Sequence, residues 1–193
     1  AVDLGVRSLR DGRCDLALCG GLFEPGPANA CLFSQFRGLS ATGSRPLDRG
    51  ADGVVFGEGA ALLALRRLPD ALARGETVLA VIRGVGTSSD GRTASVALPS
   101  ADGQEIAIRR AWKQAGLDPT TADYVEAHAT STPVGDAVEL DAIGRCFGKA
   151  SHPIEIGALK AVTGHTGWAA GAAALIKVCE AFRADAIPPQ PRF

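Results

Sequence analysis

The chain has 193 residues, 46% of them hydrophobic and 21% charged, with 20 basic against 21 acidic side chains and a formal net charge of −1. That composition is long and apolar enough to bury a core, and the even mixture of charges leaves no electrostatic footprint for nucleic acid or an anionic membrane. The longest uncharged apolar stretch, residues 168–176, falls far short of the ~20 residues that span a bilayer, and the opening residues do not read as a secretory signal.

Residues 1–10 read as helix with no capping residue before them, as though the chain began inside an element. Residues 15–21 read as a short buried strand entering a Gly-Gly turn, residues 23–39 as loop and short helix, and residues 40–49 as polar turn. Residues 52–65 suggest a strand pair or bent strand whose glycines mark close backbone approach or a bulge. A helix over 68–74, stopped by Gly75, leads to an apolar strand at 78–82. The Gly/Ser/Thr-rich loop 84–100 is the best boundary between two halves, 1–83 and 84–193.

From Asp102 a helix runs to about Ala115, with Ile108, Ala111, Trp112 and Ala115 on one face and Gly116 as its stop. A strand at 123–127, a helix from about 137 to 147, a strand at 154–158 and a helix from about 168 to 183 follow, and the Pro-rich tail 187–191 is extended. Strands alternating with helices at this spacing predict a layered α/β architecture with functional groups on loops at strand ends.

The five cysteines, at 14, 19, 31, 146 and 179, form no C-x-x-C pair and have no histidine at zinc-finger spacing. No metal site is expected from them; they read as reduced, buried small hydrophobes in a cytoplasmic protein. The glycines of residues 53–59 and 84–86 lack the spacing of a nucleotide-binding loop.

Only three histidines occur, and two lie in Gly/Thr-rich turns: His128 in Glu126-Ala-His-Ala-Thr-Ser-Thr-Pro-Val-Gly-Asp-Ala-Val-Glu139, and His165 in Lys160-Ala-Val-Thr-Gly-His-Thr-Gly167. Two neutral imidazoles converging on one oxygen can stabilise an enolate without a metal. His152, beside a proline, reads as exposed and inert, and Asp136 as a group that fixes the first histidine loop rather than a metal ligand.

These blocks, with Leu9-Arg-Asp-Gly-Arg-Cys-Asp-Leu-Ala-Leu-Cys-Gly-Gly21 and Arg45-Pro-Leu-Asp-Arg-Gly-Ala-Asp-Gly-Val-Val-Phe-Gly-Glu-Gly59, resemble the β-ketoacyl synthase (ketosynthase) family of fatty-acid and polyketide synthases. The resemblance implies a thiolase-like α-β-α-β-α layered fold, present here in part, with residues 1–83 as the C-terminal part of the first half and 84–193 as most of the second. It implies decarboxylative Claisen condensation of malonyl-carrier protein with an acyl thioester. The implied partners are an acyl carrier protein, whose phosphopantetheine arm carries the substrate, and a second copy in a homodimer. No tightly bound cofactor is implied.

Position by position, His128 and His165 match the family's catalytic histidines, Lys160 its lysine and Glu139 the acidic residue that pairs with that lysine. Thr130 and Thr132 match the threonines that bind the phosphopantetheine arm. The family's Asp-Thr-Ala-Cys-Ser-Ser nucleophile turn does not occur, nor does its Gly-Phe-Gly-Gly-Thr-Asn-Ala-His turn, and Cys14 and Cys19 match ordinary strand-region positions. The chain therefore reads as an internal piece of a ketosynthase, with exposed apolar sheet faces expected. Ala129 and Ser131 stand where many members have Gly, and Leu47 where Phe is common. Two other readings are a cysteine-less decarboxylase or chain-length-factor-like partner, and a non-catalytic dimerisation scaffold.

Overall fold

The structure, a computed structural model, describes residues 1–93, 95 and 98–191. Helix α1 (Val2–Arg10) leads into strand β1 (Ala17–Phe23), followed by helix α2 (Pro27–Gln35), strand β2 (Gly59–Leu65) and helix α3 (Leu68–Ala73). The second half holds α4 (Ala101–Ala115), β3 (Tyr124–Glu126), α5 (Pro133–Phe147), β4 (Glu155–Gly157), α6 (Lys160–Thr163) and α7 (Ala170–Ala184).

Strands β1 and β2 pair antiparallel, from Ala17 opposite Leu65 to Phe23 opposite Gly59. Because side chains alternate across a sheet, one face carries Cys19 and Ala61, both buried, with α7 residues Ala172 and Ala173 packed beside Ala61. The other face carries Leu18, Leu22 and Leu62, exposed by 67%, 69% and 65%. That is the open apolar sheet face anticipated above. Strands β3 and β4 pair parallel, Tyr124 with Glu155 to Glu126 with Gly157, with α5 as the crossover.

The main core lies where α4 and α5 meet β3 and β4. It is built from small residues such as Ala127, Ala129 and Ala158 around Ile143, Cys146 and Phe147, with Trp112 edge-on to Phe147 at 5.7 Å between ring centroids. Helix α4 is punctuated as its sequence requires: the Ser100 side chain accepts from Gly103 N–H at the start, and Gly116 takes φ +67° at the end.

Several boundaries differ from the sequence reading. Residues 78–82 form no ladder; a strand needs a partner edge at 4.7–4.9 Å, and this run instead borders β2 and α7 around a groove of about 620 Å³. Residues 52–58 contribute only isolated bridges, Leu39 with Val54 and Phe56 with His165. Helix α5 starts at Pro133 rather than near 137, because proline fits the first helical position. Helix α7 starts at Ala170 after a 3-10 turn, Gly167–Ala169, in which Gly167 (φ +48°) lies so close under the Phe23 ring that a Cβ would stand 2.2 Å from it. Loop 84–100 includes positions 94, 96 and 97, which lie outside the described residues. Cys19 and Cys146 are buried and Cys14 and Cys179 half-buried, but Cys31 is exposed, since α2 buries none of its residues.

Candidate active site

His128 follows β3 in a loop bound to α5 by carboxylates. Glu139 accepts from the backbone N–H of His128 through Oε1 at 2.6 Å and from that of Ala129 through Oε2 at 2.7 Å. Asp136, only 5% exposed, accepts from Thr132 N–H at 3.3 Å and from Leu47 N–H at 2.8 Å. Burial pushes the Asp136 carboxyl above its ordinary range, against the pull of those N–H donors. Ser131, fully buried, accepts from Arg45 N–H through Oγ at 2.9 Å and from Gly53 N–H through its carbonyl at 2.8 Å. Ala129 and Ser131 take φ +28° and +65°, a region costly for residues with a Cβ.

His165 is held from far along the chain. Its N–H donates to the Val55 carbonyl at 2.7 Å, and its carbonyl accepts from Gly57 N–H at 3.2 Å. A Cβ on Gly57 would sit 2.1 Å from the Thr163 carbonyl oxygen, so only glycine lets the two segments meet. Gly167 N–H donates to His165 Nδ1 at 3.0 Å. A neutral ring accepting at Nδ1 carries its proton on Nε2.

The two imidazoles come together edge to face, with ring centroids 5.4 Å apart. His128 keeps part of its surface open to solvent, yet the surrounding protein and then the Lys160 charge hold it down to about 4. For half-buried His165, burial, then His128, then Lys160 hold it down to about 4. Both are neutral N–H donors near pH 7. His128 borders a groove of about 1170 Å³ that also reaches Thr130, Thr132 and Glu139. The two threonine hydroxyls stand 3.1 Å apart, with either able to donate.

Lys160, the first residue of α6, is 5% exposed. Burial lowers its affinity for a proton, and Glu139, Glu126 and Asp136, in that order, work in the opposite direction. The expected direct Lys160–Glu139 pair is not formed: both Glu139 oxygens are used on backbone N–H groups, and the Lys160 ammonium makes no hydrogen bond or ion pair among the described residues. No hydrogen bond links the lysine to either histidine, and its charge adds to burial in lowering both.

Sequence reasoning overlooked Glu126, Tyr124 and Lys177. Glu126 Oε2 meets Lys177 Nζ at 2.6 Å and accepts from the Tyr124 hydroxyl at 2.5 Å, while Oε1 accepts from Leu159 N–H at 2.6 Å. The available signal was a lone carboxylate in the short strand β3 and a lone ammonium inside the apolar helix α7, charges that stay buried only when paired. His152 is exposed, but its Nε2 lies 3.0 Å from the Ala122 carbonyl oxygen, tying the loop before β4 to the chain entering β3. Cys19 faces α1, where its Sγ would stand 2.4 Å from a Cβ on Gly5. No helix among the described residues is long and apolar enough to cross a membrane.

Family models described as "Beta-ketoacyl synthase, N-terminal domain" and "Beta-ketoacyl synthase, C-terminal domain" match residues 1–71 and 79–193. The chain is 44% identical over 190 residues to a "Mycocerosic acid synthase-like polyketide synthase" of Mycobacterium tuberculosis, a match covering 97% of this chain and 9% of that protein. It is 42% identical over 195 residues to "Pikromycin polyketide synthase component PikAIII" of Streptomyces venezuelae, covering 97% of this chain and 12% of the relative. Among solved structures, the fold superposes with TM-score 0.95 and 35% identity on an oxazolomycin ketosynthase domain of Streptomyces albus, over 100% of this chain and 34% of that one. A β-ketoacyl synthase from Burkholderia phymatum superposes with TM-score 0.93 and 34% identity, over 100% of this chain and 48% of that one. The architecture is thus the thiolase-like α/β fold of ketosynthase domains, and the chain spans only a small part of the length of the curated relatives it matches. On these grounds the protein belongs to the β-ketoacyl synthase family.

Proposed function

We propose that this chain carries the malonyl-decarboxylating side of a ketosynthase active site, acting in the condensation of a malonyl-carrier protein with an acyl thioester. The observation that carries this reading is the pair of neutral imidazoles 5.4 Å apart, with the His165 proton directed to Nε2 by Gly167 N–H. When the malonyl carboxylate leaves as CO2, the electrons of the broken C–C bond pass to the α-carbon and onto the thioester oxygen. N–H donors from His128 and His165 hold that oxyanion, and because both rings are neutral they do not quench the carbanion. The α-carbon then attacks the acyl carbonyl; a C–C bond forms, the acyl–sulfur bond breaks and the sulfur leaves as thiolate. No cysteine of this chain is assigned as that thiol.

Burial keeps both histidines unprotonated and the Lys160 charge adds to it, while Glu139 is a positioning residue for the His128 loop. Thr130 and Thr132, half-buried with free hydroxyl capacity at the groove, suit the amides of a phosphopantetheine arm. We place the boundary between the two halves at 83/84; the family-model matches end at 71 and resume at 79. The expected setting is a cytoplasmic homodimer served by an acyl carrier protein.

The test is CO2 release from a malonyl-carrier protein. His128→Ala and His165→Ala should each lower it by ~10²–10³; rates within about twofold of the parent would sink the assignment. A second reading, decarboxylation without condensation, draws support from the match to a ketosynthase/chain length factor (TM-score 0.91, 36% identity). CO2 released with no β-ketoacyl product would favour it.

A further inference from the structure

We propose that Ser44, Glu126 and Gln190 are positioning residues that clamp the turn 158–160 and thereby set where Lys160 stands against the two histidines. The proposal rests on the reading above and assigns it three side chains from three distant parts of the chain.

One backbone group of each successive residue in the turn is bound by one of them. Ala158 N–H donates to Gln190 Oε1 at 2.7 Å, Leu159 N–H to Glu126 Oε1 at 2.6 Å, and the Lys160 carbonyl accepts from Ser44 Oγ at 2.6 Å. Every clamp residue is itself tethered or enclosed. Gln190 Nε2 donates to the Pro46 carbonyl at 2.8 Å, Glu126 Oε2 is held by Lys177 at 2.6 Å, and Ser44 is buried. Helix α6, with four residues, is too short to hold its own register. Side chains from outside must therefore fix the direction in which Lys160 leaves it.

The charged and titratable groups around the lysine are Glu139 and Asp136 from α5, Glu126 from β3, and His128 and His165 from the two loops. A shift of the turn moves the ammonium relative to all of them at once.

The test is a histidine-labelled NMR titration of the protein, which needs no substrate. Gln190→Ala should move the His128 midpoint upward from about 4, and the His165 midpoint upward by less, as the lysine field recedes. In a Lys160→Met background, Gln190→Ala should move nothing further. No shift, or an equal shift with and without Lys160, overturns the clamp. Should Gln190→Ala not fold, Ser44→Ala serves instead, because the Lys160 carbonyl still accepts from Gly164 N–H at 3.1 Å. Parent midpoints near 6.5 would count against the neutral-donor reading, whereas the variant difference alone judges the clamp.

Discussion

The two histidine loops reach the same chemistry by opposite means. At His128 itself the loop is organised by its own neighbourhood: Asp136 and Glu139, one and two turns into the following helix, gather the N–H groups of His128, Ala129 and Thr132, and distant chain enters only beyond it, where Ser131 binds Arg45 and Gly53 and Asp136 binds Leu47. The His165 loop is organised across the molecule, its backbone paired with Val55 and Gly57 more than a hundred positions earlier. A locally closed loop forms once its helix forms, whereas one closed by distant backbone must wait for loop-closure entropy to be met. The His128 backbone should therefore feel changes at Val55 and Gly57 less than the His165 backbone does.

Gly57→Ala would break the contrast most sharply. Its Cβ would enter the space of the Thr163 carbonyl oxygen and should destabilise by about 3 kcal/mol, the upper end of overpacking costs. Denaturant unfolding measures that, and His165 resonances should shift while those of His128 hold. Glu139→Ala is the mirror experiment. Two charge-assisted bonds to backbone N–H are lost, about 2 kcal/mol, with Glu139→Gln recovering part of the loss and His128 rather than His165 resonances moving. Equal disturbance of both loops by either variant would show that they are one unit.

Acid should act on both loops alike. Each imidazole has its folded value depressed to about 4 from an ordinary 6.5. Between those values the unfolded chain binds more protons, so stability is fully present above about 6.5 and is lost as pH falls toward 4. Thermal unfolding from pH 7 to 4 should show this slope, and His165→Ala should flatten it. Ala129→Gly should matter least, within about 0.5 kcal/mol of the parent. Relief of strain at φ +28°, ~1–2 kcal/mol, is offset by loss of a buried methyl, ~0.8 kcal/mol, and by the freedom glycine gains when unfolded. A stabilisation above about 1 kcal/mol would mean the loop is more strained than its packing repays.

Helix α4 was legible because its apolar positions, its Ser100 start and its Gly116 stop all lie within one window of sequence. The histidine loops were legible because imidazoles among glycines and threonines have no packing role to explain them. Residues 78–82 misled because an apolar, β-branched run specifies a strand only when another edge is available to pair with it. The Lys160–Glu139 pair misled for a related reason: the family resemblance implied two opposite charges in contact, but backbone N–H groups of the His128 loop took both Glu139 oxygens.

What the sequence determined by itself was the kind of element at most places, the family to which the motifs belong, and the residue types at the candidate site. Which groups hold Lys160 was decided only in the tertiary structure, through bonds spanning 32 positions for Ala158 with Gln190, 116 for Ser44 with Lys160, and 144 for Gln190 with Pro46. Periodicity and capping are written in neighbouring residues, so they can be read locally. A hydrogen bond between distant residues exists only after the chain has closed around it, and many polar side chains compete for each buried backbone group until it does.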